Sequence, residues 1–190
     1  KAFPELTNLF SIGNTIKGSP LMVLEITNKK TGKADSKPAY YYDGNIHAGE
    51  LTGAEVALHY AWYLLTNYEN SSRIKNLLDT RTIYIRPKFN PDGADLALNT
   101  STVLRSTPRP YDEDFDGLLD EDPGNDLDGN GIITNMRVVN SNGKFKVSKI
   151  DPRVMVKREL GEIDDVYYDI YTEGIDDDND GNYNEDGVGG

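Results

Sequence analysis

The 190-residue sequence has no cysteine, which excludes a disulfide framework and any thiolate zinc site, so a bound zinc would rest on histidine and carboxylate donors. The redox compartment is left open by the same absence. Histidine is scarce, with only His47 and His59, and there is one tryptophan. Long apolar runs are missing too. The longest, around residues 56–65, is broken by His59 and three aromatics, well short of the roughly twenty apolar residues a bilayer needs. The chain starts at Lys1, not at Met, and removal of an export signal is one way to obtain that, so a secreted or periplasmic location is expected.

Bases are absent from two segments. Residues 112–128 hold nine acids and residues 176–186 hold six, with no Lys or Arg in either; setting these fifteen aside leaves 17 of the 32 acids against 20 bases. The net charge of −12 is therefore concentrated in two places, where it costs folding free energy unless solvated or met by cations. An acidic chain of this kind is not expected to bind nucleic acid or an anionic membrane. Nothing here bears on oligomeric state.

What is present begins with Gly44-Asn45-Ile46-His47-Ala48-Gly49-Glu50. Ala39-Tyr40-Tyr41-Tyr42 before it has strand composition, and Thr52-Gly53-Ala54-Glu55 after it reads as a capping box opening a helix. His47 and Glu50 thus fall in a strand-to-helix loop, where a three-residue separation can turn an imidazole and a carboxylate toward one point beyond the strand ends. A lone His-x-x-Glu is a weak signal, and a surface histidine beside a helix-start glutamate is its ordinary explanation. His59 lies within the following helix, among Val56, Tyr60, Ala61, Leu64 and Leu65 at helical spacing, and is read as structural. Further on, Thr82-Ile83-Tyr84-Ile85-Arg86-Pro87 reads as a strand ended by proline, Asn90-Pro91-Asp92-Gly93 as a turn, and Arg105 follows in Leu104-Arg105-Ser106-Thr107.

Taken in order and spacing, His47-Ala48-Gly49-Glu50, Asn90-Pro91-Asp92-Gly93 and Arg105 resemble the zinc metallocarboxypeptidases of the carboxypeptidase A type, over about residues 11–105. The resemblance implies that His47 and Glu50 bind zinc and that Arg105 polarises the scissile carbonyl of a peptide or protein substrate. It implies an α/β fold, a mixed sheet flanked by helices, of which this chain carries the N-terminal portion. The family's third zinc ligand, its carboxylate-gripping Asn-Arg pair, mobile Tyr and general-base Glu have no counterpart here and are expected beyond Gly190. Two other readings stay open: a related zinc amidase acting on cell-wall peptides or acylated amino acids, and a non-catalytic calcium-dependent binding module.

The acidic segments carry a repeat. Residues 112–122 align with 176–186, and residues 126–131 form a third copy. Oxygen-bearing side chains stand at loop positions 1, 3 and 5, with Gly at 6: Asp112, Asp114, Asp116; Asp126, Asp128, Asn130; Asp176, Asp178, Asp180. That is how an EF-hand-like loop wraps Ca²⁺, with the next residue, here Leu118, Ile132 or Asn182, offering its carbonyl. The bidentate Glu of position 12 is replaced by Pro123, Arg137 or Gly187, so Asp122 and Asp186 at position 11 are expected to substitute. Acidic loops that are only solvated are the bland alternative. Residues 135–171 alternate apolar and polar positions and read as a β meander, with Ser141-Asn142-Gly143-Lys144 as a type I′ hairpin.

The expected organisation is therefore residues 1–107 as catalytic-domain portion and residues 108–190 as a calcium-loop β insertion. Within the first part the pattern predicts strands at 21–26, 39–42 and 82–86, the first two joined by the turn at 28–37 as an opening hairpin, and helices at 53–67 and 72–79, the longer one a crossover.

Overall fold

The computed structural model describes every residue except Lys1, Val103, Leu160, Asp164 and Asp165. It divides into two compact units, Lys1–Arg109 and Pro110–Gly190.

The first unit is built on four strands, β1 (Thr7–Asn14), β2 (Pro20–Ile26), β3 (Ala39–Asp43) and β4 (Thr82–Arg86), in the order β1-β2-β4-β3. β1 and β2 pair antiparallel, as do β2 and β4, while β3 and β4 run parallel. The sheet is mixed, as expected, but β1 was not foreseen as a strand. It is an outer strand whose Leu9 and Ile12 lie in water, so its apolar residues carry little burial pattern to read. The strands at 21–26 and 39–42 are not neighbours either, because β4 inserts between them. β4 is the strand most buried on both faces, and a parallel β3–β4 pair needs a crossover, supplied by helices α1 (Leu51–Thr66) and α2 (Ser72–Thr80).

α1 packs through Ala54, Ala57, Ala61 and Leu64, spaced three, four and three residues apart along one stripe. Val56, expected on that face, is half exposed. Ser71 opens α2 by accepting a hydrogen bond from the Ile74 N–H, the usual N-cap arrangement. Between helices and sheet sit Ile26, Leu64, Leu78, Ile83 and Ile85, all essentially inaccessible; each contributes about 1.5–3 kcal/mol by leaving water.

The second unit also has four strands, β5 (Asn135–Val139), β6 (Phe145–Val147), β7 (Met155–Lys157) and β8 (Tyr168–Thr172), in the order β5-β8-β6-β7. This is not a meander. β8 lies between β5 and β6, so Asn142-Gly143 does not close a hairpin and neither residue takes the positive φ of a type I′ turn. Gly143 is required for a different reason: a Cβ there would stand 2.5 Å from the Tyr168 carbonyl of β8. Among the described residues, Tyr167 is the one buried apolar side chain of this unit, whereas Asp122, Glu173 and Asp186 are buried carboxylates.

Candidate metal centre

In the first unit, the loop after β3 is held on both sides by main chain. Gly44 N–H donates to the Arg86 carbonyl, and the Gly44 and Asn45 carbonyls accept from Phe89 N–H and Asn90 N–H. On the other side, Ala48 N–H and Gly49 N–H donate to the carbonyls of Arg105 and Leu104 at 3.0 and 3.2 Å. The three motifs, far apart in sequence, are thus one hydrogen-bonded assembly. Asn90 adds a further tie, donating through Nδ2 to the Ser106 carbonyl at 2.8 Å while its Oδ1 accepts from Gly93 N–H.

That second bond corrects the reading of residues 90–93 as a turn. They start a helix, α3 (Pro91–Asn99), with Asn90 as N-cap and Pro91 in its first turn, a start signal that was legible in the sequence. The capping box at Thr52 and Glu55 is likewise corrected. α1 begins at Leu51 with Glu50 in the cap position, and Glu50 makes no side-chain capping bond. Its carboxylate is spent elsewhere: Oε2 lies 2.8 Å from His47 Nδ1.

That contact has the form of two ligand atoms converging. His47 Nδ1 is buried and has no hydrogen-bond partner, so despite the short approach the pair does not meet as donor and acceptor. An imidazole nitrogen and a carboxylate oxygen aimed at one point form a donor set suited to zinc, and the residues fit that ion. Two features hold the geometry. Asn45, buried and at φ 59°, donates through Nδ2 to the carbonyls of His47 and Ala48; asparagine is among the few residues that take this conformation readily. Its role was not singled out from sequence. Arg105 comes within 3.8 Å of Glu50 Oε1, its side chain 74% exposed. His59 sits apart on α1, exposed and tilted against Trp62.

In the second unit the three acidic loops share one hydrogen-bond pattern. The position 1 carboxylates of Asp112, Asp126 and Asp176 accept from the N–H of Gly117, Gly131 and Gly181. Asp114, Asp128 and Asp178 accept from the residue two further on, and so do Asp116, Asn130 and Asp180, whose acceptors bond Leu118, Ile132 and Asn182. Gly117, Gly131 and Gly181 have φ of 101, 86 and 98°, a region glycine enters freely.

Asp122 does not complete its own loop. Its carboxylate accepts from the N–H groups of Asp177 and Asn184 in the other loop. The acids brought near instead are ones the sequence reading passed over. Glu121 groups with Asp114, Asp116 and Asp178; Glu185 groups with Asp114, Asp178 and Asp180; Glu173 groups with Asp126 and Asp128. Burial, with the nearby charges of Asp122 and Asp180, pushes Glu185 up to about 7. Glu173 moves the other way, because Thr134 N–H and Oγ1–H, then Leu127 and Asp128 N–H, donate to it. No helix among the described residues is long and apolar enough to cross a membrane.

A converging histidine and glutamate in a strand-to-helix loop, beside an arginine, form a set of groups suited to holding a divalent metal on an α/β scaffold. A family model described as zinc carboxypeptidase matches residues 1–146, and the chain belongs to that family. Carboxypeptidase E of Caenorhabditis elegans is 36% identical over 103 residues, 54% of this chain and 22% of that protein. Carboxypeptidase SOL1 of Arabidopsis thaliana is 33% identical over 115 residues, 60% of this chain and 23% of that protein. The chain therefore spans less than a quarter of these relatives. The crystal structure of thrombin-activatable fibrinolysis inhibitor aligns with a TM-score of 0.51 at 22% identity, over 59% of this chain and 27% of that one, a likeness of fold.

Proposed function

We propose that the complete protein is a zinc-dependent carboxypeptidase, secreted or periplasmic, that hydrolyses C-terminal bonds of peptides or proteins. The observation that carries this reading is the approach of His47 Nδ1 to Glu50 Oε2 within a loop tied to Asn90 and Arg105. His47 and Glu50 would hold zinc through Nδ1 and the carboxylate, with further ligands from the rest of the protein. When bound, zinc polarises a carbonyl and lowers the pKa of a coordinated water. Asn45 fixes the loop so that both donors keep their aim. Arg105, anchored at its carbonyl and exposed at its guanidinium, would place a positive charge where an oxyanion develops, the kind of interaction that acts mainly in the transition state. The acidic loops would hold Ca²⁺ and stiffen the second unit.

Metal analysis of the complete protein tests the reading. About one zinc per catalytic centre is expected, lost on His47→Ala and on Glu50→Gln. Failure to retain zinc after dialysis against zinc-containing buffer would refute it.

A further inference from the structure

The loops at residues 112–122 and 176–186 are equivalent in sequence and in hydrogen bonding, yet their last acids behave differently. Asp122 accepts two N–H bonds from the opposite loop. Asp186 is only 1% exposed, and neither of its carboxylate oxygens has a hydrogen-bond partner. It points into a group with Asp112 and Asp114 of the first loop, one donor atom from each lying within 4.8 Å of the others. A buried carboxylate that is neither bonded nor paired with a base is costly, and here its neighbours are more carboxylates. Buried oxygens of Asp112, Glu121, Asp176 and Glu185 are without partners too. The two larger groups of acids, one around Glu121 and one around Glu185, both contain Asp114 and Asp178.

We propose that these two loops form a single composite site for two Ca²⁺ ions, ligated across the loops and not one ion per loop, with Asp114 and Asp178 shared between the ions. Glu121 and Glu185, at position 10 of their loops, supply the carboxylates that position 12 lacks, and Asp186 completes the first loop from the second. The inference rests on the reading of these loops as calcium-binding and adds how the ions are held. All-oxygen donors select a hard cation, and flexible multidentate carboxylate sets suit calcium better than magnesium.

The site has a structural task. Asp120 accepts from the N–H groups of Tyr111 and Gly189, and Asp122 N–H donates to the Asp186 carbonyl, so the two terminal segments of the second unit meet beside the cluster. Two shared cations would cross-link those ends in a unit with almost no apolar interior.

Calcium binding to this chain, measured by calorimetry and by native mass spectrometry, tests the proposal. The loop at residues 126–131, with Glu173, serves as an internal reference. Asp114→Asn and Asp178→Asn should each abolish binding of the same two ions, the double variant being no worse than either single, while Asp128→Asn removes a different ion. Additive losses, one ion for Asp114→Asn and another for Asp178→Asn, would overturn the shared site and leave independent loops. If either variant also loses the reference ion, it has unfolded, and Glu121→Gln and Glu185→Gln decide: at least tenfold weaker binding supports the composite site, and unchanged affinity overturns it. A chain that binds no calcium at millimolar concentration would refute the calcium reading itself.

Discussion

Arg105 shows how little of a candidate functional residue's geometry its own side chain reveals. Its guanidinium is exposed and meets Glu50 Oε1 at a long 3.8 Å, yet its carbonyl is fixed by Ala48 N–H, so its main chain is positioned while its head faces solvent. Replacing it with alanine in the complete enzyme should lower kcat by roughly 10²–10³ with a modest change in KM, the signature of a group that acts in the transition state. A near-normal kcat would reduce Arg105 to an ordinary surface cation. Asp79 is a residue of the opposite kind, held within the scaffold. Asn28 Nδ2 and Tyr68 Oη donate to its carboxylate, both at 2.7 Å, and hold its pKa below the usual 3.8. A depressed carboxylate pKa gives stability that is fully present above the unfolded value and is lost as pH falls through the folded one. Melting temperatures taken from about pH 6 down to about pH 2 should therefore fall more steeply below about pH 4 for the parent than for Asp79→Asn. Parallel curves would mean that the three-residue network contributes nothing.

At the scale of elements, the helix starts decide the geometry of the candidate metal centre. α1 begins one residue after Glu50, which leaves the Glu50 carboxylate beside the positive end of the helix and facing His47. The loop reaches this position by passing very close to the helix: a Cβ on Gly44 would lie 2.2 Å from the Gly53 carbonyl oxygen, a main-chain atom that cannot swing away. Gly44→Ala should destabilise the first unit by roughly 1–3 kcal/mol, read as a lower melting temperature, and should weaken zinc retention in the complete protein. An unchanged melt would show that the loop has slack. Gly93, where a Cβ would meet the Ala48 side chain at 2.6 Å, ties α3 to the same loop. These contacts also explain what sequence reading could and could not see. The residue types of the motifs were legible, and so were the strands at 21–26 and 82–86 with their apolar content. The start of α3 was written in Asn90-Pro91 and was taken for a turn, because the same residues favour both. β1 and the displacement of β8 between β5 and β6 depend on which strand edges find each other in space, which no local pattern specifies.

Across the whole molecule, burial is uneven. The first unit closes a core between helices and sheet, yet leaves Leu9, Tyr40, Leu58 and Trp62 each about half exposed or more, and the chain spans less than a quarter of the relatives it matches. Trp62, the single tryptophan, is 57% exposed. Its fluorescence in this chain should be strongly quenched by acrylamide and by iodide, and weak quenching would mean that another surface covers α1. The second unit has carboxylates where the first has aliphatic side chains, so its order is tied to charge compensation more than to hydrophobic burial.

The sequence alone determined the chemistry available: without cysteine any metal donors had to be imidazole and carboxylate, the spacing of His47, Glu50, Asn90 and Arg105 marked the family resemblance, and the glycine-punctuated acids marked three candidate cation loops. Tertiary structure decided which of those groups meet. Main-chain hydrogen bonds carry no residue code, and they tie residues 44–49, 86–90 and 104–105 into one assembly, with the Asn90 side chain adding a bond to the Ser106 carbonyl. The same is true of the acidic loops, where Glu121, Glu173 and Glu185 stand outside the expected ligand positions and are drawn in because opposite ends of the second unit fold together.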